Sequence, residues 1–158
     1  MNILLIGDSM TGKSSFINRL INNKFSESYI ATIGKDLHHY YFKEQKIFLH
    51  DCSGFDRYYN MIQLYIEIAD AAIIFYNDKH SNIEKWTGML PETTPYIIVK
   101  NGGGKDSIND VQIDCKMNKN IQKPIELIMK KVPKKNIEEQ TIMKLVIDYI
   151  MSFFPIFN

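Results

Sequence analysis

The sequence is poor in cysteine and has almost no excess of charge of either sign, and each shortage excludes a class of protein. The only two cysteines, Cys52 and Cys115, are far apart in the chain. This pattern gives no disulfide framework, so we expect a reducing compartment and a cytoplasmic protein. The 19 basic and 18 acidic residues nearly cancel. Charge therefore gives no reason to expect a nucleic-acid partner.

Features that attach a protein to a membrane are also lacking. No uninterrupted apolar run is long enough to cross a bilayer. The chain opens on a strand-like segment, without the basic and apolar leader of a secretory signal. No cysteine lies near the C-terminal end, so we expect no prenyl group and no lipid anchor. A length of 158 residues predicts one domain with one core.

The most informative stretch that is present runs from Gly7 to Ser14 and reads GDSMTGKS. It follows the apolar residues 3–6 and precedes residues with helical spacing. A strand, a glycine-containing loop, Lys-Ser and a helix occur in this order in phosphate-binding P-loops. The loop N–H groups and the helix start favour an anion. Lys13 would reach the phosphates and the Ser14 hydroxyl would hold Mg²⁺. An ordinary glycine-rich β–α loop is the alternative.

The hydrophobic pattern predicts alternating strands and helices. The predicted strands are 2–7, 36–43, 46–51, 71–76, 96–99 and 111–115. The predicted helices are 13–22, 57–68, 81–90, 120–131 and 136–154. A tight connection at 43–45 makes a hairpin in which Ile47 and Leu49 share one face. The order predicts an α/β domain with a mostly parallel sheet and helices on both faces. Ligands bind beyond the carboxyl ends of such strands, so the P-loop, Asp51 and Asn101 should converge.

Several short motifs follow the P-loop at characteristic spacing: YIATIGKD at 29–36, DCSG at 51–54, Arg57-Tyr58, the stretch 69–76, Trp86 and Asn101. With these motifs, the sequence from residue 1 to about residue 132 resembles the Ras-superfamily small GTPases, and most of all the Rab branch. The resemblance implies a P-loop NTPase G domain over 1–132. It also implies a molecular switch that binds GTP or GDP with magnesium.

Roles follow from the resemblance residue by residue. The implied nucleotide-binding residues are Asp8, Ser9, Met10, Thr11, Gly12, Lys13, Ser14, Ser15, Phe25, Tyr29, Thr32, Gly54, Asn101, Asp114, Cys115 and Lys116. The implied Mg²⁺ ligands are Ser14, Thr32 and Asp51, the last through water. Phe25 would lie edge-on against the base, Tyr29 would flank the phosphates, and the Gly54 amide would contact the γ-phosphate. Protein effectors would bind through a first switch, 28–37, and a second switch, 52–66.

The second switch departs from the family at Phe55, where the family has a glutamine that orients the attacking water. Phenylalanine has neither a donor nor an acceptor, so it cannot orient water. We therefore predict weak or impaired GTP hydrolysis and no confident catalytic residue. The alternative is that Asp56 or another group positions the water.

The base-reading segment departs further. The family has Asn-Lys-x-Asp, whereas this chain has Asn101 followed by glycines at 102–104. The missing aspartate accepts hydrogen bonds from guanine, and charged hydrogen bonds of this kind are strong. Its loss should lower affinity and weaken the preference for guanine. Lys105 and Asp106 lie just beyond and could be a shifted remnant of the motif.

The segment after Asn101 is too short for the helix that the family has there, since only twelve residues separate Asn101 from Asp114. We predict that this helix is missing. Residues 133–158 have apolar residues at helical spacing and a polar stripe, which indicates an amphipathic helix. We interpret it as an extension that packs on the same domain over the gap. A membrane-surface or partner-binding helix is the alternative.

Three Rab positions that meet effectors are also changed. The family has Phe, Trp and Tyr there, and this chain has Leu37, His50 and Tyr65, so the effector face should differ. The sequence predicts a Rab-like small GTP-binding protein with weak hydrolysis. The first alternative is a pseudo-GTPase that acts as a protein-interaction module. The second is a P-loop kinase or ATPase, which is disfavoured because Thr32 and Gly54 stand where a γ-phosphate is sensed.

Overall fold

A six-stranded sheet forms the centre of the computed structural model, which describes residues 1–80, 82–103, 108 and 110–133. The strands are β1 (Asn2–Ile6), β2 (Lys35–Phe42), β3 (Gln45–Cys52), β4 (Ala71–Tyr76), β5 (Tyr96–Asn101) and β6 (Val111–Ile113). The helices are α1 (Lys13–Asn22), α2 (Tyr59–Ile66), α3 (Ile83–Thr87) and α4 (Lys123–Lys131), with a 3₁₀ turn at Asp56–Tyr58. The predicted α/β class is confirmed.

The strand order is β2-β3-β1-β4-β5-β6. β2 and β3 are antiparallel, and each of the other neighbouring pairs is parallel. A two-residue turn closes the hairpin, and its first residue, Lys43, has a positive φ of 54° as hairpin turns require. Ile47 and Leu49 are both fully buried, so the predicted core face of the hairpin is confirmed.

Helices cover both faces of the sheet, each over its own apolar cluster. On one face, Phe16 of α1 and Ile125 of α4 pack on the sheet, and the Phe16 and Phe75 rings lie 5.2 Å apart. On the other face, Ile62 of α2 and Trp86 of α3 pack on the sheet. β4 is buried along its whole length, as expected for a central parallel strand. The carboxyl ends of this packed sheet carry the candidate site.

Several predicted boundaries were wrong for identifiable reasons. α3 ends at Thr87 rather than at residue 90, since Gly88 has low helix propensity and Pro91 follows. α4 begins at Lys123 rather than at residue 120, because Asn120 has a left-handed φ of 58°. β6 ends at Ile113, because Asp114 pairs with Lys119 in a small turn. The helix predicted over 57–68 is the 3₁₀ turn followed by the shorter α2.

β5 is followed directly by β6, and the described residues among 102–110 contain no helix. Because residues 104–107 and 109 lie outside the described residues, the absence of the family helix stays a prediction. The helix predicted over 136–154, and the candidate remnant Lys105 and Asp106, lie outside the described residues. Within the described part of the chain, no helix combines the length and the apolar character that crossing a bilayer demands.

Candidate functional site

The P-loop leaves the carboxyl end of β1 and packs tightly against its neighbours. Gly7 has a φ of 139°, and a Cβ added there would lie 2.2 Å from the Phe75 carbonyl oxygen. Gly12 has a φ of 94°, and its Cβ would lie 2.0 Å from the Asn101 amide nitrogen. Only glycine fits such close approaches of backbone. The two glycines therefore fix the loop against β4 and against the end of β5.

Lys13 lies under the loop with 6% of its surface exposed. Its Nζ donates to the carbonyl oxygens of Gly7 and Asp8, each at 2.8 Å. Burial lowers the pKa of Lys13 to about 8, although Asp51, Cys52 and Asp8 favour the charged form. A buried ammonium whose closest partners are neutral carbonyls gains much from an anion. Lys13 therefore fits the predicted phosphate-binding role.

The three predicted magnesium ligands meet beside the loop. The Ser14 and Thr32 hydroxyl oxygens are 3.0 Å apart. Asp51 is 2% exposed, and its Oδ1 has no hydrogen-bond partner among the described residues. Burial raises the pKa of Asp51, whereas a hydrogen bond from Ser14 and the charge of Lys13 act in the opposite direction. A buried, unpaired carboxylate oxygen beside two hydroxyls is a donor set of hard oxygens, which suits Mg²⁺.

Asp36 lies next to this group, and sequence reasoning did not assign it a role. It is directly opposite Asp51 in the β2–β3 register, so both side chains are on the same face. Both line a cavity of about 530 Å³ that also reaches Ser14 and Thr32. Asp36 disfavours the charge on Asp51, as a like charge must. The register of the β2–β3 hairpin, which pairs Asp36 with Asp51, is the signal that points to Asp36.

Both switch segments contact the P-loop at Ser9. The Tyr29 hydroxyl and the Ser9 Oγ are 2.7 Å apart, which agrees with a tyrosine flanking the phosphates. A Cβ added at Gly54 would lie 2.2 Å from the Ser9 nitrogen, so the second switch also needs a glycine here. Ser15 is half-buried in the first turn of α1. The residues predicted around the phosphates are therefore close together.

The base side is organised around Asn101. Its Nδ2 donates to the Thr11 carbonyl at 3.1 Å, and its Oδ1 accepts from the Cys115 N–H at 3.2 Å. Asn101 thus joins the P-loop to the segment that follows β6. Gly102 and Gly103 have open space where a side chain would begin. Among the described residues, no side chain stands where the family places its base-reading lysine.

The other predicted base residues lie around this opening. Arg19 donates to the Cys115 carbonyl at 2.9 Å and lies 5.7 Å from the centre of the Phe25 ring. The Asp114 Oδ1 accepts a hydrogen bond from the Met117 N–H at 2.8 Å, so this oxygen is engaged within its own turn. Lys116 pairs with Glu27 at 2.6 Å. Both members of that pair are exposed, so it contributes little stability.

In the second switch, Phe55 is half-buried and the Arg57 guanidinium lies 5.2 Å from its ring centre. Asp56, the alternative candidate for positioning water, forms an ion pair with Lys85 of α3. Lys85 in turn lies 4.8 Å from the Trp86 ring. In this conformation, the Asp56 carboxylate is therefore engaged by α3.

The contact between Asp8 and α3 escaped sequence reasoning. One Asp8 oxygen accepts from the Trp86 indole N–H at 2.8 Å, and the other accepts from the Asn82 backbone N–H at 3.3 Å. Trp86 is buried and is the single tryptophan of the sequence. The partners are 78 positions apart, and no sequence pattern marked the pair.

The altered effector positions have different environments. Leu37 is exposed, whereas His50 is only 4% exposed. The Lys35 ammonium can only donate, so His50 Nδ1 accepts at 3.3 Å and Nε2–H donates to the Asn2 side chain at 3.1 Å. Burial and the Lys35 charge lower the pKa of His50 to about 4. Lys35 also lies 4.2 Å from the Tyr65 ring centre. His50 is therefore a neutral structural residue.

Comparison with known proteins agrees with this geometry. The domain family described as Ras of Complex, Roc, domain of DAPkinase matches residues 2–102. Ypt/Rab-type GTPase ypt71 of Schizosaccharomyces pombe is 32% identical over an alignment 122 residues long, and the match covers 68% of this chain and 59% of the relative. Ras-related protein RABG3b of Arabidopsis thaliana is 28% identical over an alignment 120 residues long, and the match covers 64% of this chain and 58% of the relative.

Ypt/Rab-type GTPase YPT7 of Saccharomyces cerevisiae is 27% identical over an alignment 121 residues long, and the match covers 64% of this chain and 57% of the relative. The chain thus matches less than two thirds of the length of each of these relatives. The matched region contains the P-loop, both switches and Asn101. The chain belongs to the Ras superfamily of small GTPases, as a divergent member of Rab type.

Proposed function

We propose that this protein is a guanine-nucleotide switch that binds GTP and GDP with Mg²⁺ and hydrolyses GTP slowly. The observation that supports the proposal best is the meeting of Lys13, Ser14, Thr32 and Asp51 beside one loop. These residues come from α1, the first switch and β3. Thr32 belongs to a loop rather than to the sheet, so a ligand that takes Thr32 can order that loop.

Lys13 and the P-loop N–H groups would bind the terminal phosphates of the nucleotide. Mg²⁺ would be held by Ser14, Thr32 and, through water, Asp51. The bound ion neutralises charge on the phosphate oxygens. Lys13 would exchange its bonds to the Gly7 and Asp8 carbonyls for bonds to phosphate. Tyr29, whose hydroxyl contacts Ser9, would cover the phosphates from the solvent side.

Slow hydrolysis follows from the second switch. Phosphoryl transfer depends on a positioned nucleophile and on charge stabilisation. Phe55 cannot orient water, and Asp56 is paired with Lys85. In a single-turnover assay we expect Phe55→Gln to raise the GTP hydrolysis rate by about tenfold or more, within the range of general-base and positioning effects. Phe55→Leu is the matched control and should stay slow. A wild-type rate at or above that of ordinary family members would refute slow hydrolysis.

Weak base selectivity is the second part of the proposal. The Asn101 side chain is engaged by Thr11 and Cys115, and glycine replaces the next side chain. We expect fluorescent GDP, GTP and ATP to bind with affinities within about tenfold of one another, because a missing bidentate acceptor is worth a few kcal/mol. Titrations with and without Mg²⁺ measure this. Tight and guanine-selective binding would instead favour the remnant Lys105-Asp106, which Asp106→Asn would then weaken.

A pseudo-GTPase that acts as an interaction module is the second candidate. The observation that favours it is the apolar surface of the switches, where Ile30 is 84% exposed and Ile33 and Leu64 are also exposed. Exposed apolar groups of this kind suit a protein partner. We propose that partners bind through residues 28–37 and 52–66. Partner binding that is equal in the apo, GDP and GTP forms would support the pseudo-GTPase. Binding that requires GTP would support the switch.

For residues 133–158 we propose that the amphipathic segment packs on the G domain. The support is its sequence pattern and the absence of a helix among the described residues between β5 and β6. Truncation after Lys131 should then give insoluble or partly unfolded protein. A truncated protein that remains soluble and unfolds at the same temperature would favour the membrane-surface or partner-binding alternative.

A further inference from the structure

The P-loop contains a strained position. Met10 has a φ of 64°, a left-handed conformation that glycine adopts freely and that side chains with a Cβ disfavour. Its side chain is 57% exposed, so packing of that side chain does not explain why the conformation is kept. Strain of this kind persists only where the surroundings impose it. The contacts of the Met10 backbone must therefore supply the restraint.

Asn77, directly after β4, supplies that restraint. Its Nδ2 donates to the Met10 carbonyl oxygen at 2.9 Å. Its Oδ1 accepts from the backbone N–H groups of Lys79 and His80, each at 2.9 Å. Because two N–H groups face Oδ1, the amide cannot be turned around, and Nδ2 must face Met10. Asn77 and His80 also exchange backbone hydrogen bonds, so the side chain projects from a closed turn.

The direction of the next peptide follows from this contact. The peptide between Met10 and Thr11 is planar and trans, so its carbonyl and its N–H point in opposite directions. When Asn77 holds the Met10 carbonyl, the Thr11 N–H points away from Asn77. Asn101 holds the following carbonyl, that of Thr11, at 3.1 Å. Two asparagines from the ends of β4 and β5 thus hold successive carbonyls of the loop. Such an arrangement leaves the loop N–H groups for an anion.

We propose that Asn77 is a positioning residue for phosphate binding, which holds the Met10 peptide in the binding orientation despite the methionine. The proposal rests on the proposed function, since it concerns the same loop. Without the Asn77 donor, Met10 relaxes to a negative φ and the peptide turns. The loop then has to be returned to the strained conformation whenever nucleotide binds. With glycine at this position, the same conformation carries no penalty.

A double-mutant cycle on Mg·GDP affinity tests the proposal. We expect Asn77→Ala to weaken binding about tenfold, the size of one lost hydrogen bond together with the released strain. Met10→Gly alone should bind more tightly than the wild type, because glycine adopts the left-handed conformation without a penalty. In the Met10→Gly background, Asn77→Ala should cost less than about threefold. A purely structural role of the turn would give the same loss in both backgrounds.

Two further variants provide a control and a replacement for Asn77→Ala. Lys79→Ala changes an exposed side chain of the same turn and should alter affinity by less than about twofold at physiological salt. Asn77→Asp keeps the oxygen that closes the turn but loses the donor, so it replaces Asn77→Ala if that variant fails to fold. Additive losses at positions 10 and 77, or wild-type affinity in the Asn77 variants, would overturn the proposal. If the wild type binds no nucleotide, the proposed function fails first and this inference fails with it.

Discussion

The hydroxyl oxygen of Ser14 lies 3.0 Å from that of Thr32, which joins the first turn of α1 to the loop before β2. This contact brings the first switch to the P-loop. A cation that binds both hydroxyls, together with Asp51, would replace one hydrogen bond between neutral groups with stronger contacts to a charge. We therefore expect bound Mg²⁺ to order the first switch.

Ser14→Ala should weaken Mg·GDP binding at least about tenfold, because it removes both a metal ligand and the contact to Thr32. In the presence of EDTA, the variant and the wild type should differ by less than about threefold. Calorimetric titration in the two conditions measures the difference. Ser28→Ala, which removes an exposed hydroxyl from the first switch, is the control. Equal affinities of Ser14→Ala and the wild type in Mg²⁺ would contradict the assigned metal site.

Asp36→Asn should stabilise the metal-free protein. Asp36 faces Asp51 across the hairpin, and like charges directly opposite each other destabilise a strand pair by about 0.2–1 kcal/mol. We expect a gain of that size in urea unfolding at pH 7, and a smaller gain when Mg·GDP is bound. Glu44→Gln changes the same charge at the far end of the hairpin and should have no such effect. A loss of stability in Asp36→Asn would show that the two carboxylates do not repel.

Asp8→Ala should destabilise the protein by about 1–3 kcal/mol, because the buried Trp86 N–H would lose its acceptor. Asp8→Asn keeps an acceptor oxygen and should cost less than Asp8→Ala. Trp86 is the single tryptophan, so its emission reports this contact directly, and urea unfolding gives the free energies. Equal stabilities of Asp8→Ala and the wild type would show that α3 is not held through Asp8.

Nucleotide affinity should fall as the pH rises above about 8. Burial lowers the pKa of Lys13 to about 8, and phosphate binds the protonated amine. Above this pH the free protein must take up a proton to bind, which costs up to about tenfold in affinity per pH unit. The sign is opposite for unfolding. The unfolded chain keeps its Lys13 proton up to the ordinary pKa of 10.5, whereas the folded chain loses it near pH 8. The free energy of unfolding of the nucleotide-free protein therefore rises with pH between pH 8 and 10.5.

Titrations of Mg·GDP at pH 7, 8 and 9 measure this dependence. Lys13→Gln binds more weakly at every pH and lacks the titrating amine, so its affinity should be independent of pH in the same range. A wild-type affinity that is equal at pH 7 and pH 9 would contradict a phosphate contact made by a Lys13 whose pKa is lowered to about 8.

Local order made much of the site predictable. The P-loop is contiguous in sequence, and Thr32 and Asp51 stand at the family's spacing from it, so they could be assigned without coordinates. The C-terminal end of α3 and the N-terminal end of α4 were predicted wrongly. Gly88, Pro91 and Asn120 change the backbone conformation over only one or two residues, and hydrophobic periodicity does not detect such short changes. Asp36 required the exact hairpin register. The bonds from Asp8 to Trp86 and from Asn77 to Met10 join positions 78 and 67 apart, and such contacts depend on the folded sheet.

The central claim is that the loop before α1 binds a nucleotide through its phosphates, and calorimetric titration with Mg·GDP tests it most directly. We predict saturable binding by the wild type at one site, and a loss of at least about a hundredfold in affinity for Lys13→Met, since a buried charge-assisted contact would be gone. The emission of Trp86 should change over the same concentration range. Absence of binding at millimolar Mg·GDP, or equal binding by Lys13→Met, would contradict the account.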